Sequence, residues 1–383
     1  MLQFREDSYS YNLLKIIALC GEFPYNSLYL IDGNERILKR NILNMKKEGY
    51  ITIVGSGQHK TIRITKKSFE PLRKIGEEYL SHYLSITDNH HFRGGKKDNS
   101  SERVIWRRHR MAEAYCMFLD IEADVWSFEK PTLSLDNKNT NRINANSIIF
   151  YSSKELKNAD IEQRYKTEFT RIMGALFCPG GVYAIYNTNK GLMKWNKQGE
   201  GKAQVLIEDI VSMNYKVEDN NLSNAIMFGK DIDTAKEILE SNGGLKDCND
   251  FEMLSFDNTY NNIYFLTLDE NGLYQLNLLI QKNWYNYIRN SIFPKEFLNI
   301  EYLSIDCDAY DKSNNKYILM FLDGNIGKLK RFKEATYDNK NKKFEVVCFD
   351  WQEEMLRNYL GDDVSILSIT TDKLSELINE SYQ

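Results

Sequence analysis

The 383-residue chain holds five prolines, six cysteines and five histidines, and each scarcity removes a class of chemistry. The cysteines (Cys20, Cys116, Cys178, Cys248, Cys307, Cys348) are scattered with no C-x-x-C pair, which excludes a disulfide scaffold. Four sit inside apolar runs, the pattern of reduced core residues in a cytoplasmic protein. All five histidines lie between positions 59 and 109, so the rest of the chain has none for general acid–base work. His82, Asp88, His90 and His91 match no standard metal spacing and lie in a polar Gly-rich stretch, a poor cage for an ion. No apolar run reaches the roughly 18 residues that span a bilayer. Met1 is followed by LQFREDSYS, polar and charged, so no secretory leader is expected. Phosphate-binding glycine loops, G-x-S-x-G, H-E-x-x-H and fixed-period repeats are missing too. Asp306, Asp308 and Asp311 (DCDAYD) open like a calcium loop but lack its Gly and closing Glu, so a solvated loop is expected. The sequence therefore predicts no catalytic set, no metal, no cofactor and no membrane span.

What is present is a front and a body of opposite charge. The net charge of −4 conceals 20 Lys+Arg against 12 Asp+Glu in residues 1–110, a net of +8, and 30 against 42 in the remainder, a net of −12. A basic front on an acidic body fits binding of nucleic acid by the front. Hydrophobic content of 42% supplies core enough for two or three domains at this length.

The front spells a winged helix-turn-helix. Tyr11–Leu19 has helical apolar spacing, Pro24 ends it, and a short second helix follows at Tyr25–Ile31. Residues 34–67 then read NERILKRNILNMKKEGYITIVGSGQHKTIRITKK. Asn34 is a natural N-cap for a third helix. At 100° per residue its Leu38, Ile42 and Met45 fall within about 60° of one another, as a core stripe should. Arg36, Lys39, Arg40, Lys46 and Lys47 occupy an arc of roughly 120° on the other side, the division a recognition helix needs. Leu43 lies inside the basic arc; it could touch a thymine methyl, and packing on a neighbouring helix is the preferred expectation. Strands Ile51–Val54 and Thr61–Thr65 flank a Gly-Ser-Gly turn whose tip residues Gln58, His59 and Lys60 could reach a minor groove or phosphates. Phe69–Leu84 reads as a further helix that closes a domain spanning 1–85. Residues 86–102 read as a basic linker. Arg103–Leu119 is a helix whose Arg107, Arg108 and Arg110 could extend a phosphate footprint, or could pair with acids of the body.

From 103 to 383 a mixed α/β domain is expected, with a possible subdivision near 245–260. Strands are predicted at Ser147–Tyr151, Arg171–Phe177, Val182–Tyr186, Ala225–Phe228, Asn262–Leu268, Leu273–Leu278, Tyr317–Leu322, Ile326–Phe332 and Phe344–Phe349. Hairpin turns are placed at 178–181, 269–272 and 323–325. Helix, strand, hairpin, helix, strand from Arg103 to Phe228 is the order of a restriction-endonuclease-like core. Such a core needs an acid on one strand and acid-x-Lys on the next to hold a metal. MGALF and VYAIY offer neither, and Glu200-Gly201-Lys202 is placed in a Gly-rich loop, so that core would be degenerate.

The winged helix (10–67), the helix bearing RRHRMAEA (107–114), the hairpin GALFCPGGVYAIYNT and the following LMKW (192–195) resemble the replication-relaxation family of plasmids and conjugative elements. That resemblance implies DNA binding in plasmid replication, transfer or their control, and possible replication or transfer proteins as partners. The expected function is site-specific binding of double-stranded DNA, as a homodimer suited to a palindromic site. A metal-dependent endonuclease or relaxase, a ligand-sensing transcriptional regulator and a protein-only adaptor are the alternatives.

Overall fold

The computed structural model describes residues 4–6, 8–31, 33–75, 102–135, 143–160, 165, 167, 170–215, 224–241, 252–253, 259–301 and 303–380. The protein has a mixed α+β fold, and its chain divides into two compact units, residues 1–130 and 131–383. Among the described residues no helix is long and apolar enough to cross a membrane.

In the first unit α1 (Tyr9–Cys20) starts at Ser8, whose hydroxyl accepts from the Tyr11 N–H, and stops at Gly21 with φ 94°. It buries Leu13, Leu14 and Ile17. After β1 (Phe23–Pro24) a 3₁₀ turn over Tyr25–Leu30 leads into α2 (Glu35–Lys47). Strands β2 (Ile51–Val54) and β3 (Thr61–Ile64) pair antiparallel, Ile51 opposite Ile64 and Ile53 opposite Ile62. β1 adds to the far side of β3, giving the order β1-β3-β2. Pro24 fits there because a two-residue edge strand leaves its missing N–H unneeded. Residues 69–75 form α3; the rest of the helix expected to Leu84, residues 86–101 of the expected 86–102 linker, His82, Asp88, His90 and His91 lie outside the described residues.

The arginine-bearing helix α4 (Glu102–Asp120) packs against α1 and β1. The expected body began at Arg103, whereas the chain divides after Lys130. The reason lies in α4 itself: Ala112, Ala114, Cys116, Met117 and Phe118 are buried, an apolar stripe that completes the front unit's core. Residues 111–130 add five acids and one base, so that unit has 21 Lys+Arg against 17 Asp+Glu, a net of +4.

The second unit holds β4 (Ile149–Ser152), α5 (Ser153–Ala159), β5 (Gly174–Cys178), β6 (Gly181–Asn189), β7 (Lys194–Trp195), α6 (Lys197–Asn214), β8 (Asn224–Gly229), α7 (Ile232–Glu240), β9 (Glu252–Met253), β10 (Asn262–Thr267), α8 (Glu270–Leu279) and α9 (Trp284–Ile292). β11 (Ala309–Asp311), β12 (Lys316–Met320), α10 (Ile326–Asp338), β13 (Lys343–Phe349), α11 (Glu353–Leu360), β14 (Val364–Ile369) and α12 (Thr371–Glu380) follow. Beside a two-stranded antiparallel β7-β9 pair, one large sheet runs β10-β8-β6-β5-β4, with β6, β8 and β10 parallel and the β6–β5 and β5–β4 pairs antiparallel; the other runs β11-β12-β13-β14, parallel from β12 onward. A continuous apolar core joins them, from Phe177, Tyr186 and Met227 to Phe332, Val346 and Leu356.

The hairpin at 178–181 forms as expected, between β5 and β6. The other two do not. Leu273–Leu278 lies in α8 and Ile326–Phe332 in α10, and both expected strands are helices. Asp269 accepts from the Gly272 N–H and Asn325 from the Lys328 N–H, so these turn-forming residues act as N-caps. Gly272 is required by close approach, since a Cβ there would run into the Thr267 carbonyl oxygen.

Candidate nucleic-acid interface

The surface on α2 follows from its cap and its period. Asn34 Oδ1 accepts from the N–H groups of Arg36 and Ile37, so the residue expected to touch DNA also starts the helix. Leu38, Ile42 and Met45 are buried at 2% exposure or less, as the spacing predicts. Arg36, Lys39, Arg40, Lys46 and Lys47 are all exposed. Lys39 pairs with Glu35 at 2.6 Å, an exposed i,i+4 pair of little energetic weight. Arg36, Arg40, Lys46 and Lys47 make no ion pair with a described residue. Leu43 is 62% exposed. The expectation that it packs on a neighbouring helix is overturned, because no described element covers that face of α2.

The hairpin tip is more firmly tied down than its sequence suggests. Gly55 and Gly57 have φ of 79° and 57°, which supply the turn. The Asn26 side-chain amide donates to the Gly57 carbonyl at 3.1 Å and anchors the tip to the 3₁₀ segment. Lys60 sits over the Tyr25 ring, 3.5 Å from its centroid. The His59 ring packs edge-on against Trp106 of α4 at 5.2 Å. Of the three tip residues, Gln58 is the exposed one.

The arginines of α4 divide as well. Arg107 is exposed and Arg110 half-buried. Arg108 turns inward and donates to Glu22 Oε1 at 3.2 Å, while Arg63 Nε donates to Glu22 Oε2 at 2.8 Å. Glu22 has no exposed surface and also accepts from the Thr61 hydroxyl. Arg108 is thus part of a charged core that fixes α4 to β3 and the α1–β1 turn. His109 beside it is 2% exposed. Burial pushes its imidazole down to about 4, against the pull of the Glu22 carboxylate, so it is neutral at pH 7. A cavity of about 470 Å³ in the same unit is lined by Tyr9, Asn12, Lys15, Cys116, Asp120 and Trp126 among others. It carries both a cation and an acid, unlike the closed apolar pocket of the body that a ligand sensor would need.

The second unit contains polar cores that sequence reasoning missed. Glu200, expected in a loop, lies in the first turn of α6 and is fully buried. Its carboxylate accepts from the Arg171 N–H at 2.6 Å and the Tyr186 hydroxyl at 2.9 Å, so it is spent on structure. The DCDAYD segment is not a solvated loop. Asp308 is buried and accepts from Lys328, the Tyr285 hydroxyl and the Met320 N–H. Burial works against the Lys328 ammonium, but Asp308, Tyr285 and Asp306 together offset it and hold its pKa above the ordinary lysine value. Asp311 accepts from Ser313 and Asn314 in the turn before β12; these bonds pull it down to about 2. The reason for the burial is the sheet: β11 pairs antiparallel with β12, and Asp308 N–H donates to the Ile318 carbonyl. Among the described residues no group of three or more His, Cys, Asp or Glu is placed to hold a metal ion. Burial also pushes the thiols of Cys20, Cys178, Cys307 and Cys348 up to about 12, far from reactive.

No protein-family model, curated protein or solved structure matches this chain.

Proposed function

We propose that residues 8–75 form a winged helix-turn-helix and that α2 enters the major groove of double-stranded DNA as its recognition helix. The observation that carries this reading is the division of α2 into a buried Leu38-Ile42-Met45 face and an exposed basic face opposite it, where only Lys39 pairs with a described acid, Glu35. Arg36, Arg40, Leu43 and Lys47 recur at i, i+4, i+7 and i+11, one stripe along the helix, suited to base edges. Lys39 and Lys46 lie to one side of it, suited to phosphates. Gln58 at the hairpin tip and Arg107 on α4 are the flanking contacts. Asn34, His59, Lys60, Arg108 and Arg110 support the surface rather than form it.

For the second unit we propose a restriction-endonuclease-like core without its metal-holding acids, serving assembly or a second DNA contact. The order β4-β5-β6-β8, with α6 between parallel β6 and β8, supports it. β5 (GALFC) and β6 (GVYAIYNTN) carry no carboxylate, which disfavours cutting. The resemblance of residues 10–67, 107–114 and 192–195 to the replication-relaxation family supports a role in replication, transfer or their control on a mobile element.

Selection of bound sequences from genomic or plasmid DNA, followed by gel-shift titration, tests the reading. Arg36→Ala and Arg40→Ala are each expected to weaken specific binding by about 1–3 kcal/mol. Unchanged affinity at moderate salt would refute the assignment. Leu43 gives a finer readout. Replacing a contacted thymine by deoxyuridine removes one methyl group and is expected to cost the wild type about 0.8 kcal/mol. Leu43→Ala should be indifferent to that replacement at every thymine of the site; if it responds as the wild type does, Leu43 reads no methyl.

A further inference from the structure

The outer strands of the second unit are not alike. The outer side of β10 is taken by the Phe265 N–H, which donates to the Gly324 carbonyl at 2.8 Å, and by a bridge from Tyr264 to Asn325. β4 has four residues, three of them buried, and runs straight into α5 through a capping box at Ser152. β11 has three residues and ends in the Asp311 turn. β14 differs from all of these. It has six residues, VSILSI, with no charge, proline or glycine. It pairs with β13 along its whole length on one side. On the other side none of its backbone groups finds a partner among the described residues. Natural sheets blunt such an edge with lysine, proline, a bulge or a covering element, because unpaired N–H and C=O groups recruit another strand. Here Leu367 projects from the edge strand at 50% exposure instead.

We propose that β14 pairs antiparallel with β14 of a second copy of this chain, across a two-fold axis at Leu367. An axis perpendicular to the sheet keeps each face on its own side, so opposed residues must share parity. Centred on Leu367, the pairing sets Leu367 against itself, Ser365 against Ile369, Ile366 against Ser368 and Val364 against Thr370. Every opposed pair is uncharged, and the most exposed apolar side chain of the strand is buried on its own copy. The charges before the strand also fit, because Asp363 meets Thr371 rather than another acid. The Ser365 hydroxyl already donates inward to the Phe344 carbonyl at 3.1 Å, which leaves the apolar side chains to face the partner. Pairing would join two four-stranded sheets into one of eight strands. The occupant is a second copy because in this register the strand opposes itself with no like charges facing and covers Leu367 with its own copy. The inference does not depend on the DNA reading.

Light scattering on the eluting full-length chain tests it. The wild type is expected at twice the 44.9 kDa chain mass at micromolar concentration. Leu367→Lys sets two ammonium groups face to face at the axis and is expected to run as a monomer with an unchanged circular dichroism spectrum. Leu367→Cys should be linked in pairs by a short bis-maleimide, well above the wild-type background. A monomeric wild type, or a Leu367→Lys chain that stays dimeric, overturns the proposal. If Leu367→Lys does not fold, the cross-link decides, and cross-linking no better than wild type overturns it.

Discussion

Glu22→Ala is expected to destabilise the first unit by about 3–5 kcal/mol, the range measured when one member of a buried ion pair is removed. Glu22 is fully buried, and the side chains of Arg63 and Arg108 are only 14% and 15% exposed. Without the carboxylate, two guanidinium groups remain in a space that water barely reaches. The loss should be local. Amide hydrogen exchange on the full-length chain is expected to speed up in α1, β3 and α4 and to stay unchanged in β12 and β13. Whole-chain melting is a poorer probe, because two units need not unfold as one. Replacing Glu22, Arg63 and Arg108 together by methionine should recover most of the loss, since a packed apolar trio needs no desolvated charge. Uniformly normal exchange in Glu22→Ala would show that the three residues carry no net stability. DNA binding should fall with the same variant, because α4 holds the hairpin in place through Trp106 and His59.

Much of the first unit was legible because its signals are local. The period of α2 fixes which residues are buried, and Asn34 fixes where the helix begins. Glycines 55 and 57 fix the turn. What failed there was long-range. Glu22 meets Arg63 and Arg108 across separations of 41 and 86 residues, and no spacing rule links them. Leu43 looked like a packing residue because an exposed leucine in a basic arc has no local explanation; its exposure depends on which elements fail to cover it. In the second unit the two helices read as strands have one source. Asp269-Glu270-Asn271-Gly272 and Asp323-Gly324-Asn325 carry residues that suit both a hairpin turn and a helix N-cap, and sequence alone does not choose between them. The buried spacing does: Ile326, Leu329 and Phe332 recur at every third position, which is helical. Asp308 was read as solvated for a different reason: acids in a row look exposed until a paired strand covers them. The expected division of the chain likewise followed charge, whereas α4 follows its apolar stripe into the front unit.

Asp323→Asn is expected to stabilise the second unit by about 4 kcal/mol above pH 8 and by almost nothing near pH 4. Asp323 is 5% exposed and accepts from the Asn325 N–H at 3.0 Å. Burial, and then the nearby Asp308 carboxylate, push it up from 3.8 to about 7. Below pH 3.8 the group is protonated in the folded and unfolded chain alike and carries no penalty. Between 3.8 and about 7 the unfolded chain releases its proton while the fold retains it, so stability falls as pH rises. Above about 7 the fold must bury the charge and the loss is complete. A displacement of about three units corresponds to roughly 4 kcal/mol at 1.36 kcal/mol per unit. Asparagine keeps the oxygen that the Asn325 N–H needs and cannot ionise, so the difference between variant and wild type isolates this one titration. Urea unfolding of the second unit, followed by exchange in β10 and β12 from pH 4 to pH 9, should give two curves that meet at the acid end and part through neutrality. Parallel curves would mean that Asp323 ionises in the fold as freely as it does in water. The test also bears on Lys328. Its ammonium is held beside Asp308, so the acid left without a cation of its own is the one that should keep its proton.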